Sequence, residues 1–269
     1  MIPKIIHYCW FGGKSLPDHL NEYIGTWRKF CPDYDIKLWN EETFDVSSHI
    51  FTKTAYDKKI YAYVSDYVRA YALNLYGGIY LDTDVELKAN LDSFLEHDAF
   101  TGFETEGVPF TAVWGTKTNH SLTKKVLNFY NGLVYHELLE PNTVSVSRIL
   151  ISEFCIDERL NQKQIGFDGV DSVHVYPAET FCLDLERNVA THHFEGSWVP
   201  NKKYSYKEHL HSQYYFSNFL RHKTADKNYY LKKIALTLTL SQVFKIFIYH
   251  FYYRFTPKHF KYIISYFRR

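Results

Sequence analysis

Apolar and polar positions along this chain change period repeatedly, and the changes predict strands that alternate with helices. Ile2 to Trp10 contains a short apolar run around Ile5 and Ile6 and stops at Gly12-Gly13, the pattern of a first strand. Leu20 to Phe30 repeats at helical spacing until Cys31-Pro32-Asp33 breaks it. Tyr34 to Trp39 reads as a second strand, closed by Asn40-Glu41-Glu42 as a turn and helix start. The most apolar stretch comes next. From Ile60 to Leu81 every residue is apolar, aromatic or small except Asp66, Arg69 and Asn74. Within it Val64, Tyr67, Val68, Tyr71 and Leu75 recur at helical spacing, Ser65 can cap or bend the start, and Gly77-Gly78 stops the helix before a strand from Ile79 to Leu81.

Downstream, Leu87 to Phe94 reads as a short connecting helix, and Ala99 to Phe103 and Phe110 to Trp114 as strands. Asn119-His120-Ser121 caps a helix through Tyr130, while Val173 to Tyr176 and Phe181 to Leu183 read as further strands. Residues 141–169 carry no motif. Strand-helix alternation of this kind predicts an α/β protein on a Rossmann-like, parallel sheet.

Composition divides the chain in two. With 269 residues, 46% of them hydrophobic, it can bury a substantial core. Its net charge of +1 conceals an imbalance: from Arg221 onward there are eleven Lys and Arg against Asp226 alone, leaving twenty basic and twenty-nine acidic residues before it. We therefore expect a catalytic domain over residues 1–200 and a basic, aromatic region over 201–269. Ile234 to Phe255 is apolar but interrupted by Thr237, Thr239, Ser241, Gln242, Lys245, His250 and Arg254. That pattern predicts an element lying on an anionic membrane surface, with a helix packed on the core as the competing reading. The acidic body argues against nucleic acid as a partner. Cys9, Cys31, Cys155 and Cys182 stand at wide spacings without a Cys-x-x-Cys pair, which predicts reduced thiols and no zinc site. No signal-peptide pattern opens the chain, so a cytoplasmic, peripheral location is expected.

The candidate chemistry lies around the apolar helix. Asp66 and Arg69 stand three apart on one helix face, where an unpaired charge is costly to bury, so they pair or face a ligand. Asp82 and Asp84 follow a hydrophobic strand, at the edge where α/β sheets bind ligands, and strand alternation would turn both the same way. Two such carboxylates suit Mg²⁺ or Mn²⁺ carrying a diphosphate. Gly13-Lys14-Ser15 imitates the end of a P-loop, but Tyr8 stands where that motif needs a glycine. Trp10 can stack on a base or belong to the core.

The block SDYVR, ten residues, then YLDTD resembles the core of glycosyltransferase family 32, the DXD-containing group with bacterial capsule-type transferases, similar to the glucosylating domain of large clostridial toxins. IPKIIHYCWFGG, PDYDIKLWN and HHFEGSW add three separate blocks, spread over residues 2–198. The resemblance implies a GT-A fold, a Rossmann-like nucleotide-binding mixed sheet flanked by helices and here followed by a basic, aromatic C-terminal helical extension, and a retaining, metal-dependent transfer of a sugar from a nucleoside diphosphate, with a UDP-sugar expected through Trp10. It implies Asp66 and Arg69 on the donor sugar or phosphate, Tyr80 lining the nucleotide pocket, and Trp198 over the diphosphate. Asp82 would contact the metal and ribose, and Asp84 the metal. The third metal ligand is expected at His193, with Ser197 or Glu195 as alternatives. Glu104 is a carboxylate near the acceptor or an ordinary exposed one. A lipid-linked surface or capsular polysaccharide precursor is the expected acceptor. A non-catalytic nucleotide-sugar-binding protein and a metal-dependent phosphohydrolase are the competing readings; the latter wants Thr or Val where Glu86 stands.

Overall fold

A computed structural model describes residues 1–196, 206–221, 227–237, 239–241, 243–244 and 247–248. The chain divides into two compact units, Met1–Lys202 and Lys203–Arg269. Among the described residues of the first, nine strands and six α-helices follow in order: β1 (Ile5–Cys9), α1 (Asp18–Phe30), β2 (Asp35–Trp39), α2 (Ile50–Asp57), α3 (Tyr61–Tyr76), β3 (Gly78–Leu81), β4 (Val85–Leu87), β5 (Ala99–Gly102), β6 (Val113–Thr116), α4 (Ser121–Tyr130), α5 (Asn142–Glu153), β7 (Gln164–Phe167), β8 (Ser172–Tyr176), α6 (Ala178–Phe181) and β9 (Ala190–His192).

Seven strands form one sheet in the order β2-β1-β3-β6-β5-β8-β7, with helices packed against it, and β4 and β9 make a separate antiparallel pair. The α/β expectation holds, and the sheet is mixed, as the GT-A resemblance implies and strand-helix alternation alone does not. Strands β2, β1 and β3 are parallel, β6 runs against both β3 and β5, β5 and β8 are parallel, and β7 returns antiparallel. Ile79, Leu81, Val113 and Phe100 from its middle strands join Ile24 and Trp27 of α1 in one buried cluster. Because β1, β2 and β3 run together, their carboxyl ends share one edge. The residues that follow them, Trp10, Asn40 and Asp82, gather there.

The helix α3 ends as its sequence predicts, at Gly77 (φ +65°) and Gly78 (φ +103°). A Cβ on Gly78 would stand 2.7 Å from the Ile5 carbonyl and 3.0 Å from the His7 ring, so glycine is required twice. Its start is at Tyr61, and Ser65 bonds back to the Tyr61 carbonyl inside the helix, not at a cap.

Several elements differ from the pattern. Asn40 to Ser48 is a series of turns, and α2 begins at Ile50 because the His49 ring accepts the Phe51 amide as its cap. Leu87 to Phe94 is not a helix; Leu87 ends β4, and Asp92–Phe94 forms one 3₁₀ turn. Phe181 to Leu183 is not a strand, since Pro177 starts α6 and the Ala178 carbonyl takes the Cys182 and Leu183 amides. The unread segment contains α5.

The second unit contains α7 (Tyr206–Arg221) and α8 (Lys227–Thr237), packed on one another. No helix among the described residues is long and apolar enough to cross a membrane.

Candidate active site

Asp82 and Asp84 converge, by a different route from strand alternation. Strand β3 stops at Leu81 and Asp82 begins a turn, closed by the Val85 amide on the Asp82 carbonyl at 3.0 Å. The turn is fixed on both sides. The Asp82 amide donates to Ala112 before β6, while α1 holds β4 through Trp27 Nε1 to the Val85 carbonyl (2.7 Å) and the Leu87 amide to Thr26 Oγ1 (2.9 Å).

Strand β9 supplies the third group, and it is His192. Its pairing with β4 sets His192 opposite Val85, beside Asp84, and puts Nε2 at 3.3 Å from Asp84 Oδ1. One oxygen of Asp82, one of Asp84 and one nitrogen of His192 lie within 4.8 Å of one another. Burial opposes charge on both Asp84 and His192, yet their mutual attraction outweighs it. The Asp84 carboxyl is held below the usual range and the His192 imidazole well above its own. The buried Cys182 thiol also engages the imidazole.

His193 is placed elsewhere. Adjacent residues of a strand point to opposite faces, so only one of the two histidines can face Asp84, and the register selects His192. His193 Nε2 lies 2.9 Å from Glu86 Oε2, and its ring stacks on Tyr23 at 4.3 Å. The backbone of the expected segment reaches Asp84. The His193 amide donates to the Asp84 carbonyl, and the Glu195 amide to Asp84 Oδ2 at 2.8 Å. Phe194 makes that wrap possible with φ +54°, a conformation costing on the order of 1–3 kcal/mol in a bulky residue. Ser197 and Trp198 lie outside the described residues.

Arg69 joins α3 to the acidic turn. Its Nη2 is 3.1 Å from Asp66 Oδ1 and 3.1 Å from Asp82 Oδ1, with the Arg69 and Asp66 side chains each only 9% exposed. Tyr80, expected to line the nucleotide pocket, is instead buried beneath this cation, whose guanidinium carbon stands 4.5 Å from the ring centroid. The reason is strand direction: Tyr80 pairs with Trp114 inside the sheet. Burial pushes the Asp66 carboxyl up to about 7, against the pull of Arg69 and the Asn142 amide at the start of α5. Glu104 is buried and not an exposed glutamate.

A cleft of about 540 Å³ opens at the ends of β1 and β2, lined by Trp10, Gly12, Gly13, Asn40, Glu41 and Tyr56 among others. Trp10 is half-buried, and its Nε1 donates to the Lys14 carbonyl at 2.7 Å, which fixes the plane of the indole. Sequence reasoning missed Glu41 and His192. Glu41 stood in plain view as an acid at a strand end, whereas His192 needed the β4-β9 register.

A cleft opens at the carboxyl edge of the parallel strands, where α/β folds bind ligands, and a carboxylate pair, an imidazole and a buried arginine gather at the end of the neighbouring strand. Residues 17–101 match the family described as "Glycosyltransferase sugar-binding region containing DXD motif", and the chain is a glycosyltransferase carrying that region. It is 28% identical over 222 residues, 76% of its own length and 86% of the other's, to an uncharacterized glycosyltransferase of Acanthamoeba polyphaga mimivirus. It is 36% identical over 107 residues to inositol phosphoceramide mannosyltransferase 3 of Schizosaccharomyces pombe, a match covering 37% of this chain and 29% of that one. Among solved structures, the PaToxG glycosyltransferase aligns over 57% of this chain and 70% of its own, with a TM-score of 0.44 and 18% identity.

Proposed function

We propose that this protein is a metal-dependent, retaining transferase that moves a sugar from a nucleoside diphosphate to a hydroxyl of a lipid-linked precursor of a surface or capsular polysaccharide. The observation that carries the reading is the convergence of Asp82, Asp84 and His192, bridged to Asp66 by Arg69. Two hard carboxylates with one imidazole fit Mn²⁺ or Mg²⁺, and those three residues would hold it. Such an ion supplies neutralisation of the charge that builds on a departing diphosphate.

The protein's own groups do the rest. Arg69 donates to the diphosphate or sugar while fixing the Asp66 carboxylate, which accepts from sugar hydroxyls. Trp10 stacks on the base in the cleft, uridine being the expected one. The bond from the sugar to the diphosphate breaks as the acceptor oxygen bonds to the same carbon, on the same face, and the acceptor proton passes to the leaving phosphate. The mannosyltransferase name of the Schizosaccharomyces pombe relative adds mannose conjugates to the donors worth testing, and its inositol phosphoceramide acceptor is compatible with a lipid-linked one.

Calorimetry with UDP, GDP, CDP and their common sugar conjugates, with Mn²⁺ and then with chelator, tests this. We expect one nucleotide to bind, only with metal, and its matching conjugate to be hydrolysed slowly. A folded sample that binds none of them overturns the reading and favours a non-catalytic protein.

The basic region would bring the enzyme to its acceptor, on the cytoplasmic face of a membrane. Leu236, Leu240, Phe244 and Ile248 recur every four residues and each is at least half exposed, among lysines that suit anionic headgroups. We expect the protein to sediment with phosphatidylcholine vesicles only when they contain an anionic lipid. Leu240→Glu with Phe244→Glu should weaken that binding at least about tenfold, given the transfer energy of two large side chains. Undiminished binding would return this region to a packed-helix role.

A further inference from the structure

A glycine pair after the first strand of an α/β fold is suited to present its amides to a ligand phosphate. In this protein the position is filled from within. Gly12 (φ +101°) and Gly13 (φ +66°) turn their amides toward Glu41, which follows β2. The Gly12 amide donates to Glu41 Oε1 at 2.6 Å, and the Tyr56 hydroxyl of α2 donates to the same oxygen at 2.8 Å. The Tyr56 ring packs on Tyr61 at 5.3 Å, and Tyr61 is the side chain that a Cβ on Gly12 would strike, at 2.5 Å. One carboxylate thus ties the glycine turn, the β2 turn and α2 around the cleft. Burial opposes its charge, but the Gly12 amide, the Tyr56 hydroxyl and the Glu41 and Gly13 amides outweigh it and hold the carboxyl below its usual range.

Resting on the nucleotide-sugar reading above, we propose that Glu41 is a positioning residue of the donor cleft: its carboxylate occupies the anion-binding turn of Gly12-Gly13, fixing the wall beside Trp10 and keeping the donor diphosphate from seating at the glycines. The diphosphate is then left to the Asp82 and Asp84 end of the sheet edge. A carboxylate in place of a phosphate makes the cleft a site for the neutral base and ribose, and that orients the donor.

The vacated turn gives the test. In the full chain, Glu41→Ala should bind added acetate at the Gly12 and Gly13 amides and melt at a higher temperature with it, while the unaltered protein shows no such shift. With Mn²⁺ present, Glu41→Ala should weaken nucleoside diphosphate binding about tenfold or more, through lost charge-assisted hydrogen bonds, and acetate should restore most of it. The loss should fall on donor KM, with kcat at saturation changing less than about threefold. Glu41→Gln, which keeps an accepting oxygen without the charge, should fall between, and Tyr56→Phe provides a milder removal should the alanine variant not fold. Absence of the acetate shift in a folded Glu41→Ala protein overturns the proposal whatever nucleotides do. So does nucleotide binding by Glu41→Gln, Glu41→Ala and Tyr56→Phe equal to that of the unaltered protein. Failure of the unaltered protein to bind any nucleotide instead strikes the transferase reading, and the acetate shift then still decides the role of Glu41.

Discussion

Asp84→Asn is expected to reduce sugar transfer by about a thousandfold or more while leaving the protein folded. A carboxylate on a divalent ion contributes several kcal/mol of charge stabilisation, and each ~1.4 kcal/mol is a factor of ten in rate. Asparagine keeps the shape and can still accept the Glu195 amide that Asp84 Oδ2 receives at 2.8 Å, so the turn should persist. What disappears is the anion opposite His192. Replacing a charged hydrogen-bond partner costs about 1.5–3 kcal/mol, which thermal unfolding will register as a lowered but cooperative transition. The two histidines sharpen the test. His192→Ala should lower Mn²⁺ affinity, read by calorimetry without any donor, by about tenfold or more. His193→Ala removes the contacts with Glu86 and Tyr23 and should leave that affinity nearly unchanged. If the effects fall the other way round, the register of β4 and β9 does not set the metal site.

That contrast shows where the sequence was legible. Helix α3 and strand β3 could be read closely because an apolar run bounded by Gly77-Gly78 permits few alternatives, and Asp66 and Arg69 stood out as charges that such a helix cannot bury alone. The convergence of Asp82 and Asp84 was anticipated with the wrong geometry. A period of two implies a strand, but the chain turns at Asp82 because its amide is taken by Ala112 and its carbonyl by Val85. His192 was missed for a related reason. Neighbouring residues in a strand face opposite ways, and only long-range pairing with β4 decides which one faces the acids. Long-range contacts also explain Tyr80, whose aromatic character suits a nucleotide pocket but whose ring lies under Arg69. The start of α5 lay in a segment without motif, and its Asn142 amide reaches Asp66 through backbone alone, which no side-chain pattern can announce. Strand-helix alternation by itself favours a parallel sheet, and only β6 and β7 run against the other five strands, which makes the sheet mixed as the GT-A resemblance implies.

Arg69→Met is expected to cost more stability than any other single change at this site, and to remove activity as well. Arg69 is a 7%-exposed cation between two carboxylates, 3.1 Å from Asp66 and 3.1 Å from Asp82, with the Tyr80 ring on its face. Methionine can fill much of the volume, so the loss is electrostatic more than steric. Removing one partner of a buried ion pair costs about 3–5 kcal/mol, because the remaining charge is left in a poorly solvated place. Asp66 would be that charge. Burial already raises its carboxyl to about 7 with Arg69 present, and Asp82 pushes in the same direction, so without the arginine it should rise further. The sign of the pH dependence follows. A carboxyl whose pKa is higher in the folded than in the unfolded chain stabilises the fold below the unfolded value and loses that contribution as pH rises through the folded one. Arg69→Met should therefore be least impaired in mildly acidic buffer and progressively worse above neutrality, relative to the unaltered protein under the same conditions. The double variant Asp66→Asn with Arg69→Met removes the stranded carboxylate and should recover part of the stability without recovering transfer, since the pair proposed to face the sugar is gone. Urea unfolding of the unaltered protein and the two variants across pH 5 to pH 8 measures each part, and a pH-independent loss in Arg69→Met would mean that Asp66 is not the group Arg69 holds charged.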